Sequence, residues 1–126
     1  MTRTEDPGLL TGSRAYLADL DLPGRLHAVV VRSDIAHGTI AAVHVEQARA
    51  MPGVVDVVTG ADLGVAPHHG FAVVHDDFAR PPIAVDRVRF VGEPVAVVLA
   101  ETFEQGEDAA ETVWAEIDPL PAVVDA

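Results

Sequence analysis

Three residues of this sequence could take part in acid–base chemistry: one glutamate and two histidines. Glu93 interrupts the apolar stretch VRFVGEPVAVVLAE, while His27 and His37 lie in and just after an earlier apolar run. A carboxylate or an imidazole can transfer a proton when it lies within hydrogen-bond reach of a bound substrate. We treat all three as candidate catalytic residues. The alternative for Glu93 is a structural or solvated carboxylate at a bend.

Arg32 and Ser33 are candidate substrate-binding residues. They follow the run LHAVVVR, whose β-branched residues predict a strand over residues 26–32. A guanidinium at the end of a strand can bind an anionic group through paired hydrogen bonds. The alternative is structural: Arg32 pairs with an acid, and Ser33 organises the following turn.

A third group is rich in potential metal ligands. His68, His69, His75, Asp76 and Asp77 lie within ten residues of one another, and imidazole with carboxylate can bind a divalent cation. Their spacing matches no established metal site, and glycine and proline surround them. We therefore predict a polar loop and no metal site.

Composition limits the remaining chemistry. The sequence has no cysteine, so this chain offers no thiol nucleophile and no cysteine ligands for zinc or an iron–sulfur cluster. It also lacks a glycine-rich phosphate loop and a G-x-S-x-G motif. We predict that this chain binds no cofactor by itself.

Length and charge define the class of protein. The 126 residues fit one domain, for which we predict an extended N-terminal segment over residues 1–22. The formal net charge of -12 would repel nucleic acid. No apolar run is long enough to cross a membrane and no secretory signal is evident, so we expect a cytoplasmic protein.

The apolar patterns predict an α+β domain with a mixed sheet of several strands, one substantial helix and one short helix. The Gly92–Pro94 triplet predicts a bend between two strands, because glycine and proline interrupt the pairing of strands. Residues 61–82 are punctuated by glycine and proline and predict a loop, with one short strand at 71–74. The predicted strands are 26–32, 39–45, 54–59, 86–91, 94–100 and 113–117, and the predicted helices are 46–51 and 102–112. The run 94–100 is nearly all apolar, which predicts a strand covered on both faces at the centre of a sheet. Thr102 is the candidate N-cap of the longer helix.

Four stretches together resemble one family. They are TEDPGLLTGSRAYLADLDLPGRLHAVVVRSDIAHGTI, MPGVVDVVTGADL, VDRVRFVGEPVAVVLAET and EDAAETVWAEIDPLPAVVDA. In this order they resemble the α/β-hammerhead domain of the molybdenum-binding large subunits of xanthine dehydrogenase, aldehyde oxidase and carbon monoxide dehydrogenase. The resemblance implies that molybdopterin, iron–sulfur clusters and FAD belong to partner domains or subunits. It also implies that the catalytic glutamate of the family lies downstream and is not Glu93.

Three functions follow as alternatives. In the first, the chain is a scaffold subunit or fragment of a molybdopterin-dependent oxidoreductase, with residues 90–126 at or near a contact with a molybdopterin-binding partner. In the second, it is a small enzyme that reuses the fold, with Glu93, His37 or His27 as acid–base groups and no metal. In the third, it is a non-catalytic binding or oligomerising module, such as a homo-oligomer.

Overall fold

The structure, a computed structural model, describes residues 6–13, 16, 20 and 22–123. The remainder of the N-terminal segment and residues 124–126 lie outside the described residues. Within the segment for which we predicted extended structure, Asp6–Leu10 forms a short helix. The described elements in chain order are α1 (Asp6–Leu10), β1 (His27–Arg32), β2 (Gly38–His44), α2 (Glu46–Arg49), β3 (Val54–Thr59), α3 (Gly60–Leu63), a 3₁₀ turn (Asp76–Phe78), β4 (Arg87–Val88), β5 (Pro94–Ala100), α4 (Phe103–Ala110) and β6 (Trp114–Pro119).

The α+β class is confirmed, but the single mixed sheet is corrected to two antiparallel sheets. Sheet A has the strand order β1-β5-β3, and sheet B has the order β4-β2-β6. The chain bends repeatedly between Ser33 and His37, so β2 leaves β1 and pairs with β6 instead. The central position predicted for β5 is confirmed, since it pairs with β1 on one side and β3 on the other.

Helix α4 covers one face of sheet A. Its start is fixed by a capping box, in which Thr102 Oγ1 accepts from Gln105 N and Gln105 Oε1 accepts from Thr102 N. Gly106 lets the helix approach closely, because a Cβ there would lie 2.8 Å from Val29 Cγ2. The buried core formed beneath the helix includes Val29, Val57, Val98, Ala96 and Ala109.

Several local predictions need correction. No strand forms at residues 71–74; the loop instead contains an isolated bridge between His68 and Arg80 and the 3₁₀ turn. The strand predicted over residues 86–91 is reduced to Arg87–Val88, because the chain turns at residues 90–92. Helix α3, which we did not predict, begins at Gly60; Thr59 is its N-cap, and Asp62 completes a second capping box.

The longest helix in the described part of the chain, α4, has eight residues. A membrane-spanning helix needs about 20, and no described helix is long and apolar enough to cross a membrane.

Candidate functional site

Glu93 is held inside the bend at the start of β5. Its side chain is buried, with 1% of the residue exposed. Oε2 accepts a hydrogen bond from the main-chain N–H of Arg89, and Oε1 lies 3.3 Å from the Arg89 guanidinium. Gly92 has a φ of 90°, which permits the tight turn between these two residues. Both carboxylate oxygens of Glu93 are therefore engaged in stabilising the turn.

Ser33 is also part of this bend and faces inward. Its N–H donates to Glu93 O at 2.9 Å, and its carbonyl accepts from Gly92 N at 2.7 Å. The hydroxyl bonds to the main chain of Ile35. This is the structural alternative we gave for Ser33, since its polar atoms hold the end of β1 against the bend.

Arg32 lies at the same bend but on the surface. It donates from NH1 to Gly92 O at 2.9 Å and lines a cleft of about 320 Å³ together with Arg80 and Phe90. No carboxylate of the described residues lies within ion-pairing distance of its guanidinium. The predicted pairing of Arg32 with an acid is therefore not seen, and the guanidinium remains available to a ligand.

The two candidate histidines lie in different parts of the molecule. His37 lines a cleft of about 540 Å³ beside Arg87 and Arg89, and its Nδ1 lies 2.8 Å from Pro121 O. His27 instead contacts the ring of Phe103 edge-on, with ring centroids 6.5 Å apart.

His27 is also far from the bend. It pairs with Ala100, six residues along β5 from Pro94, a separation of roughly 20 Å at about 3.3 Å per residue. The structure does not bring His27 and Glu93 into one acid–base site.

Sequence analysis did not identify the open face of sheet A. Val30 of β1 and Val58 of β3 both pair with Val97 of β5, so three valines form a row across the sheet. Val97 is only half-buried, although we predicted that β5 is covered on both faces. The row lines an apolar groove of about 400 Å³ whose other walls are Leu63, Pro82, Ile83 and Pro94. The signal in the sequence was the absence of polar alternation in β1 and β5.

The ion pairs of the histidine-rich loop are local. His69 Nε2 lies 3.8 Å from Asp76 Oδ1, and His75 Nδ1 lies 3.4 Å from Asp77 Oδ2. In the described ranges, no three His, Asp or Glu side chains form a group able to hold a metal ion. We assign no residue of this loop to a metal.

Comparison with known proteins defines the class to which this fold belongs. A solved structure of Cu,Mo-CO dehydrogenase matches 99% of this chain with a TM-score of 0.87 and 34% identity, and this chain covers 16% of that one. Quinoline 2-oxidoreductase from Pseudomonas putida 86 matches 98% of this chain with a TM-score of 0.84 and 41% identity, again over 16% of its own length. The fold is that of one domain within larger oxidoreductases.

The sequence gives the same result. Residues 11–121 match the family model "Aldehyde oxidase and xanthine dehydrogenase, a/b hammerhead domain". The 6-hydroxypseudooxynicotine dehydrogenase complex subunit gamma of Paenarthrobacter nicotinovorans is 40% identical over 98% of this chain and 16% of its own length. The chain belongs to this hammerhead-domain family, as its resemblance to the family implied, and it spans about one sixth of the relatives it matches.

Proposed function

We propose that this chain is the hammerhead part of a molybdopterin-dependent oxidoreductase and that it docks through the open face of sheet A onto the cofactor-bearing polypeptide. The proposal is supported by relatives whose names are those of dehydrogenases and a molybdenum-containing enzyme. The observation that carries it is the row of valines Val30, Val97 and Val58.

An antiparallel sheet with one face on its core normally exposes polar side chains on the other face. Here the exposed face is apolar where Val30, Val97 and Val58 line its groove, while α4 packs against the opposite face. An apolar surface of this kind favours an interface, because covering it removes apolar area from water. The candidate to cover it is the part of the related proteins that this chain does not span.

We propose no cofactor site in this chain. Molybdopterin, iron–sulfur clusters and FAD belong in this proposal to the partner, as the resemblance to the family implied, and no catalytic step is assigned to Glu93, His37 or His27. A cytoplasmic location stays a prediction.

The test is binding between the full 126-residue chain and the polypeptide of the same organism homologous to the remainder of these large subunits. Calorimetry should give a one-to-one complex with the wild-type chain. Val30→Asp places a charge in the groove and should weaken binding at least tenfold. The matched control is Val55→Asp, since Val55 lies on the same sheet, is 56% exposed and does not line the groove.

Light scattering on the chain alone distinguishes the oligomerising alternative. A stable homodimer that Val30→Asp dissociates, together with no binding of the partner polypeptide, would overturn the proposal. Equal loss of binding in Val30→Asp and Val55→Asp would also count against the groove as the contact.

A further inference from the structure

Phe90, which lies in the turn that Glu93 stabilises, borders clefts lined by four arginines. Arg87 and Arg89 line one of these clefts, and Arg32 and Arg80 line another. Arg80 and Arg89 also line a third cleft together with Asp77. We call these four residues and Phe90 the arginine surface. It gathers half of the eight basic residues of a chain whose net charge is -12, with Asp77, Asp86 and Glu93 as the acidic residues beside it.

Three of the four guanidiniums lack a carboxylate partner. Arg89 is neutralised by Glu93 and lies 3.6 Å from Asp86. Arg32, Arg80 and Arg87 form no ion pair with any described residue. Twenty acidic residues are present in the sequence, so the absence of pairing does not come from a shortage of acids. These cations are left for an external anionic group.

The geometry of Arg80 suits a carboxylate. Its guanidinium carbon lies 4.7 Å from the centroid of the Phe90 ring, a distance at which the cation is attracted to the π face. This contact does not occupy the N–H groups of Arg80, which can donate to a carboxylate in the plane of the guanidinium. Phe90 and Val91 remain 39% and 63% exposed and offer apolar contact beside these donors.

The arginine surface is continuous with the groove on sheet A. Pro82 and Pro94 line both the cleft that contains Arg32 and Arg80 and the valine groove. One partner segment can therefore cover both surfaces. Nucleic acid is disfavoured because the remaining surface is strongly acidic, and the apolar residues beside the arginines favour a polypeptide over a small anion.

We propose that the arginine surface binds an acidic segment, with Asp or Glu carboxylates beside apolar side chains, of the same polypeptide that covers the valine groove. This inference rests on the proposed function. In this proposal the charged end of the interface selects the partner and sets its orientation, because complementary charge governs the association rate and the register of an interface.

The experiment repeats the calorimetric titration with Arg87→Glu, whose side chain has no described partner to lose, and with Arg25→Glu as the matched control outside the surface. At 50 mM NaCl, Arg87→Glu should weaken binding at least tenfold and Arg25→Glu less than twofold. Raising NaCl to 300 mM should weaken binding by the wild-type chain, because salt screens the charge pairs. The difference in Kd between the wild type and Arg87→Glu should therefore become smaller.

The outcomes separate the two proposals. If the wild-type chain binds and Val30→Asp does not, while Arg87→Glu and salt have no effect, the inference is wrong and the proposed function stands. No binding by the wild-type chain at either salt concentration overturns both. Titration with acetate and with inorganic phosphate tests whether the surface binds small anions instead. Saturable binding of either anion that Arg87→Glu abolishes, and that does not compete with the partner polypeptide, would overturn the proposal that the surface binds an acidic segment.

Discussion

The Glu93 carboxylate closes a turn by contacting Arg89 twice. One carboxylate oxygen accepts a hydrogen bond from the Arg89 main-chain N–H, and the other lies 3.3 Å from the Arg89 guanidinium. Glu93 is thus the residue that shapes the surface on which Phe90 and its neighbouring arginines are presented. The sequence left acid–base chemistry and a structural place at the bend as alternatives for Glu93, and its contacts are those of the structural alternative.

Glu93→Ala should lower the free energy of unfolding by about 2–4 kcal/mol, because it leaves a part-buried N–H without an acceptor and breaks a partly buried ion pair. Glu93→Gln keeps one acceptor oxygen and should cost about 1 kcal/mol. Urea unfolding measures both. Glu101→Ala, at an exposed position, is the control and should stay within about 0.5 kcal/mol of wild type. Wild-type stability in Glu93→Ala would contradict the structural role.

Gly106→Ala should destabilise the protein although alanine is the better helix former by about 1 kcal/mol. The added methyl group would lie 2.8 Å from Val29 Cγ2, so α4 or β1 must move, and overpacking of a core costs about 1–3 kcal/mol. Thermal unfolding should show a lower midpoint. Asp108→Ala, an exposed change in the same helix, should leave the midpoint unchanged or raise it. A higher midpoint in Gly106→Ala would show that the helix packs less closely on sheet A.

Acid should weaken the cap of α3. Hydrogen bonds from Thr59 N and Thr59 Oγ1, together with the charge of Arg49, hold the pKa of Asp62 below its ordinary value of 3.8. A lowered pKa in the folded state means that the ionised group stabilises the fold above pH 3.8 and that this contribution is lost as the pH falls through the lower value.

Asp62→Asn should therefore be less stable than wild type at pH 6, and the difference should narrow as the pH falls below 3.8. Urea midpoints at pH 6, 4 and 3 measure it. Asp34→Asn, at an exposed carboxylate without a described partner, should differ little from wild type at each pH. A constant difference between Asp62→Asn and wild type over this range would mean that ionisation of Asp62 does not stabilise the cap.

The order of the elements was predictable because each depends on neighbouring residues. The apolar run 94–100 predicted the central strand β5, and Thr102 as candidate N-cap predicted the start of α4, where Gln105 completes a capping box. The bend at Gly92 was predicted for the reason the structure gives, a backbone angle that favours glycine. Helix α3 was missed because four residues are too few to produce a helical pattern, although its capping box was present in the sequence.

The division into two sheets could not be predicted, because apolar alternation shows that a segment is a strand but not which strand pairs with it. The clefts beside Phe90 could not be predicted either, because Arg32 and Arg80 come to them from distant parts of the chain. The contact between Glu93 and Arg89 differs in that the two residues are only four positions apart.

The sequence by itself determined the family, the segments that form strands and helices, and the lack of cysteine ligands, because these follow from local residue patterns and from composition. Only the tertiary structure decided that Glu93 is buried in a turn, that Val30, Val97 and Val58 form one row, and that Phe90 borders clefts lined by arginines. Those properties depend on strand pairing between residues far apart in the chain, and pairing is set by how the whole core packs.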